Sequence, residues 1–248
     1  FEGVYKSMNF ADYIDLNEAK NTHMTHIEDK VIYGGVNGTR EAIFALRDMR
    51  DMLSGVKEGS VSVKWDGAPA IFCGIDPSDN KFFVAKKGIF NKNPKVYKSN
   101  SDIDADSEGA LNKKLKLALK YLPDLGIKGV IQGDFLFGPG DVSKQKIKGN
   151  RYLTFHPNTI VYAVPDGTPS SLEIKRAKIG IVWHTSYSGS SFESMSASYG
   201  VDVKALKKSP NVWSQDAMLK SVMGATMTAK DTEFVNKNLS EIGRIFNR

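Results

Sequence analysis

Residues Val61–Gly74 read VSVKWDGAPAIFCG. Both arms are apolar and rich in β-formers, which predicts two strands, Val61–Lys64 and Ala70–Gly74. At their join stand a cation and an anion two residues apart, Lys64 and Asp66, followed at once by Gly67. Asp-Gly is a hairpin signal, so an exposed turn is one reading. The other reading is chemical. A free lysine has a pKa of about 10.4, so near neutral pH only about one molecule in a thousand carries the neutral amine. An apolar strand end disfavours the cation and neighbouring cations lower the pKa further, and both effects favour a nucleophile. The aspartate would orient polar groups or a metal, and the glycine would let a phosphate approach the backbone.

The 248 residues suit one large domain, or a domain with a small appendage. Hydrophobic residues make up 41% and charged residues 25%, the profile of a globular protein with a real core. No apolar run approaches the roughly 20 residues needed to cross a bilayer, so no membrane partner is expected. Phe1-Glu-Gly lacks a methionine and a signal-peptide core, so the chain is expected to begin inside a longer or processed one. Cys73, the single cysteine, excludes an internal disulfide and fits a reducing cytoplasm.

The net charge of +6 is unevenly spread. Lys86, Lys87, Lys92, Lys95 and Lys98 share one short segment with Phe90 and Tyr97, and Lys113, Lys114, Lys116 and Lys120 follow on a predicted helix. A solvated surface accounts for this, and so does a nucleic-acid track, which sets cations beside stacking aromatics.

Along the chain, no structure is assigned before Thr39, a candidate cap for a helix through Ala42, Leu46, Met49 and Leu53 that stops at Gly55. Strands follow over 61–64, 70–74 and 82–85. Residues 99–107 read as a polar loop and about 108–121 as an amphipathic helix. Further strands are expected over 128–137, 152–155, 159–164 and 177–184. A serine-rich linker after Gly189 is expected to lead into helices, the last capped by Thr228-Ala-Lys-Asp231. The outline is an α+β body over 1–190 with a linker and helical appendage over 191–248.

Lys64-Trp-Asp-Gly67, on a strand and followed by APAIF, resembles the first motif of the covalent nucleotidyltransferases, the ATP-dependent DNA ligases, RNA ligases and mRNA-capping enzymes. The wider text looks like uncharacterised ligase-like proteins of tailed phages, which implies the cytoplasm of an infected bacterium. The resemblance implies the nucleotidyltransferase fold, with antiparallel sheets flanked by helices. It implies that Lys64 attacks the α-phosphorus of ATP with Mg²⁺ present, that Asp66 assists, and that Gly67 lies in the nucleotide site. It also implies a basic residue at Lys86 or Lys87 in FFVAKKGIF, and a ribose- or metal-binding carboxylate at Asp134 in GVIQGDFLFG. An aromatic that stacks on the purine falls at Tyr162 in NTIVYAVP, or at Phe155. The nucleic-acid partner would be RNA or nicked DNA. The short helical tail, with no room for a further β-barrel, favours the RNA-ligase side.

Two motifs depart. The fourth, usually Glu-Gly-hydrophobic-hydrophobic-x-Lys, aligns with Ile179-Gly-Ile-Val-Trp-His184, so its metal-binding carboxylate is missing or comes from elsewhere, for which Glu173 is the candidate. The final Lys-x-Lys has only Lys175 with Lys178, or Lys204 with Lys207, neither at the usual spacing. The rivals are a GTP-using capping-type enzyme and a protein of this fold that has lost catalysis. A P-loop pattern is absent. His23-x-x-His26-x-Glu28 is a weak metal pattern, and His156 and His184 read as strand-end residues.

Overall fold

A computed structural model of the chain describes residues 26–57, 60–223 and 227–247. It is α+β and divides into two compact units. One contains the described residues up to Lys64 together with those from Met218 on, and the other is Trp65–Ala217.

In the first unit, α1 (Ile27–Tyr33) and α2 (Gly35–Leu53) precede β1 (Ser60–Lys64), which pairs antiparallel with β11 (Met218–Met223). A register irregularity falls between Val63 and Lys64, the residue opposite Met218. Helix therefore begins well before Thr39, and that residue is no cap: it lies inside α2, its hydroxyl donating to the Gly35 carbonyl. The helix does end beside Gly55, whose φ of 79° suits a residue without Cβ. The expected capping box holds at α6 (Ala229–Phe246), where the Thr228 hydroxyl accepts from the Asp231 N–H. Of the expected apolar face of α6, Leu239 is buried, whereas Phe234 and Ile245 are largely exposed.

The second unit is built on a six-stranded sheet. β2 (Ala70–Ile75), β3 (Phe82–Ala85), β4 (Val130–Phe137), β8 (Ile179–Ser188) and β10 (Val212–Asp216) run in the order β10-β8-β4-β2-β3, and β9 (Ser196–Tyr199) adds to β8. All neighbours are antiparallel except β8 and β10. β4 sits centrally and every residue in it is buried, Gln132 and Asp134 included. α3 (Asn100–Asp106) and α4 (Gly109–Tyr121) are also in this unit, and Leu115, Ala118 and Leu122 join Ile71, Phe135 and Trp183 in its main core. A smaller sheet, β5 (Ser143–Ile147), β6 (Asn150–Phe155) and β7 (Tyr162–Pro165), packs Leu153, Phe155 and Tyr162 with Trp65, Leu136 and Trp213 in a second core. α5 (Pro169–Arg176) follows β7.

Several expectations need correction. Residues 100–106 are helical rather than a loop, because the Ser99 hydroxyl caps the Asp102 N–H while the Asp102 carboxylate receives the Ser99 N–H. The serine-rich stretch does not lead into helices. It forms β9 and precedes β10, so the boundary expected at residue 190 falls inside the larger unit. Among the described residues no helix is long and apolar enough to cross a membrane.

Candidate nucleotide site

The segment after Lys64 is held by backbone hydrogen bonds to Ala217, just past β10, and to Phe135, within β4. The Trp65 N–H donates to the Ala217 carbonyl (2.5 Å), and the Ala217 N–H donates to Trp183 (2.8 Å). The Ala68 N–H donates to Phe135, and the Phe135 N–H returns to Pro69, both at 3.0 Å. This lays Asp66-Gly67 across β4 at Asp134, which pairs with Ala70 on one side and Val182 on the other.

Both motif glycines are required by packing. A Cβ on Gly67 would stand 2.7 Å from the Phe135 carbonyl oxygen and 2.9 Å from the Asp134 Cβ. One on Gly133 would stand 2.3 Å from the Val182 carbonyl oxygen. Gly67 therefore lets the motif segment approach β4, and its Cβ direction is filled by protein rather than open to a phosphate. Gly67→Ala is expected to destabilise by about 1–3 kcal/mol, the usual cost of overpacking, and a thermal melt measures it.

The Asp66 backbone is held by one hydroxyl. The Tyr162 hydroxyl accepts from the Asp66 N–H (2.6 Å) and donates to the Asp66 carbonyl (2.9 Å). Burial raises the pKa of this phenol, and the Asp66 and Asp134 carboxylates raise it further, against the Asp66 N–H bond that lowers it. The Asp66 carboxylate also receives an N–H from Asn158 (3.2 Å). The ring of Tyr162 is covered, with centroids 4.4 Å from Trp65 and 5.5 Å from Phe155. Phe155 is buried as well, between Trp65 and Phe137. Neither ring is free to stack on a base, so Tyr162 supplies its hydroxyl and not a platform.

Asp134 is buried at 7% exposure, with His184 Nε2 3.6 Å from its carboxylate and His184 Nδ1 2.7 Å from the Thr185 hydroxyl. His184 is thus no strand-end residue: it lies within β8 and faces the carboxylate. Sequence patterns assign no site role to Trp65, Asn158 or His184. For His184 the available signal is its place where the fourth motif ends in lysine.

The remaining candidates lie elsewhere. Lys86 pairs with Asp106 (2.8 Å), which Lys95 (2.5 Å) and the Tyr97 hydroxyl (2.6 Å) also reach. The bond to Asp106 raises the pKa of Lys86. Lys98 is likewise matched by Asp76 and Asp79. These lysines are neutralised structural partners rather than a bare track, while Lys87 and Lys92 are exposed. Glu173 is exposed on α5, and Lys204 is exposed in a short 3₁₀ turn (Val203–Ala205) with no hydrogen bond to Asp66, Asp134 or Tyr162. His23 lies outside the described residues. Among the described residues no group of three or more His, Cys, Asp or Glu side chains could hold a metal. Asp66 and Asp134 bring two carboxylate residues to the Gly67 segment, and one or two carboxylates are what Mg²⁺ takes when phosphates supply its other ligands.

The Asp106 cluster carries its own prediction. Hydrogen bonds from Lys86, Lys95 and Tyr97 hold the Asp106 carboxyl well below the usual carboxylate range. Its contribution is present above the ordinary pKa of about 3.9 and is lost as pH falls below it. Asp106→Asn should cost about 1–2 kcal/mol near neutral pH, towards the low end of the cost of unpairing a polar group because the cluster is partly solvated. Thermal melts of the two proteins should converge as the pH drops below about 4.

No curated protein and no solved structure matches the chain. Residues 21–248, nearly the whole of it, match one family, and the chain belongs to that family of unknown function, DUF6267.

Proposed function

We propose that this protein is an ATP-dependent polynucleotide ligase, of the RNA-ligase kind, acting through a covalent lysyl-AMP. The observation that carries the reading is the meeting of Asp66-Gly67 with Asp134. Two segments matched separately to nucleotidyltransferase motifs, and far apart in sequence, lie against each other, with Gly67 packed on the Asp134 side chain and the Tyr162 hydroxyl bound to the Asp66 backbone.

In this reading the neutral amine of Lys64, two residues before Asp66, attacks the α-phosphorus of ATP. A P–N bond forms, the bond to pyrophosphate breaks, and the amine proton passes to solvent. A nucleic-acid 5′-phosphate oxygen then takes the adenylyl group, breaking the P–N bond and returning the lysine. A 3′-hydroxyl displaces AMP and closes the strand. Mg²⁺, held by phosphates with Asp66 or Asp134, would offset charge on the triphosphate. Tyr162 and Asn158 fix Asp66, and His184 faces Asp134.

A second reading is a nucleotide-binding protein of this fold without catalysis. Ile179 favours it, being fully buried where the nucleotidyltransferase pattern has a metal-binding carboxylate. Incubation with α-labelled ATP or GTP followed by denaturing gel electrophoresis separates the cases. Label retained from ATP supports the ligase, label from GTP a capping-type enzyme, and no label from either the second reading.

A further inference from the structure

A cavity of about 750 Å³ lies along one face of α4 and under the Gly138–Asp141 turn. Lys113, Lys114, Lys116 and Lys120 line it, with Leu117 and Pro139 among its apolar surfaces. The opposite face of α4, Leu115 and Ala118, is core, so burial does not dictate the lysine face.

The charge there is largely unmatched. Lys116 pairs with Asp104 (2.5 Å). Lys114 donates to the Ala68 carbonyl (2.8 Å) and lies over the Phe135 ring, neither of which is an anion. Lys113 and Lys120 are exposed, and no carboxylate among the described residues forms an ion pair with them. Asp141 is the acidic group of the lining, and its carboxylate accepts the Gly138 N–H. Asp104 matches Lys116, the like-charge neighbour of Lys113 at i,i+3 and of Lys120 at i,i+4, and leaves Lys113 and Lys120 as the exposed cations of this face.

We infer that this cavity is a docking groove for a single strand of nucleic acid, with phosphates on Lys113, Lys114 and Lys120 and a sugar or base against Leu117 and Pro139. The volume is that of a ligand site, and the mix of cations with apolar surface matches a chain of anionic groups joined to flat apolar ones. Lys114 links the groove to Ala68, two residues after Asp66. The inference rests on the ligase reading for the strand's purpose but not for its binding.

The test is fluorescence anisotropy of a labelled single-stranded 12-mer RNA, without ATP, over a series of salt concentrations. Its outcome is therefore independent of whether Lys64 accepts AMP. The double variant Lys113→Glu/Lys120→Glu is compared with Lys208→Glu/Lys237→Glu, which makes the same charge change at exposed positions elsewhere, and thermal melts establish that both fold. The groove variant should bind at least tenfold more weakly than the control variant. Its slope of log affinity against log salt should be shallower by about 1.4, since each phosphate of a single strand that is no longer neutralised removes about 0.7. Equal weakening in both variants would overturn the inference, as would wild type that does not bind the strand at low salt. So would polyglutamate that displaces the RNA as well as unlabelled RNA does, since the groove would then read charge alone.

Discussion

Lys64→Arg is expected to abolish the covalent adduct altogether. Arginine keeps the positive charge and the long stem, so the backbone pairing of β1 with β11 has no reason to change. Its guanidinium stays protonated at every accessible pH and cannot act as a nucleophile. Removing the nucleophile of a covalent mechanism costs on the order of a millionfold in rate. The variant should therefore show no labelled band after ATP, at unchanged melting temperature. A labelled Lys64→Arg protein would move the nucleophile to another residue.

The second large effect belongs to Asp134. Asparagine preserves its shape and most of its hydrogen bonding beside His184 while removing the charge. If the carboxylate serves the nucleotide or its metal, adenylylation by Asp134→Asn should fall by about a hundredfold or more, the size of losing one positioned electrostatic group. Thermal stability should remain near that of wild type. A purely structural carboxylate would behave in the opposite way, with stability lost and activity per folded molecule retained. Asp134→Glu keeps the charge and should recover part of the rate. Full activity in Asp134→Asn would remove Asp134 from the site.

The sequence disclosed the strands that alternate or run apolar. β3 spans 82–85 as expected, and β2 and β4 are within two residues of expectation at each end. It did not disclose β5, because Ser143–Ile147 is exposed at every position and presents no apolar period. Nor did it disclose β9, a short serine-rich strand that exists only because β8 offers it an edge. In the candidate site, Asp66 and Asp134 are proposed from sequence because their motifs are local. The partnership of His184 with Asp134 depends on the register between β4 and β8, which shifts between Gln132 and Gly133, and no local pattern encodes that. The lysines divide for the same reason. Lys86 and Lys95 look as free in the sequence as Lys113, but α3 carries Asp106 to them.

The intact mass of the wild-type protein after incubation with ATP and Mg²⁺ reads the covalent intermediate itself. The lysyl-AMP mechanism predicts a gain of one AMP per chain, lost on brief acid treatment because a P–N bond is acid-labile, and retained at neutral pH. Protein that remains at its unmodified mass across a range of pH and divalent ions would contradict it.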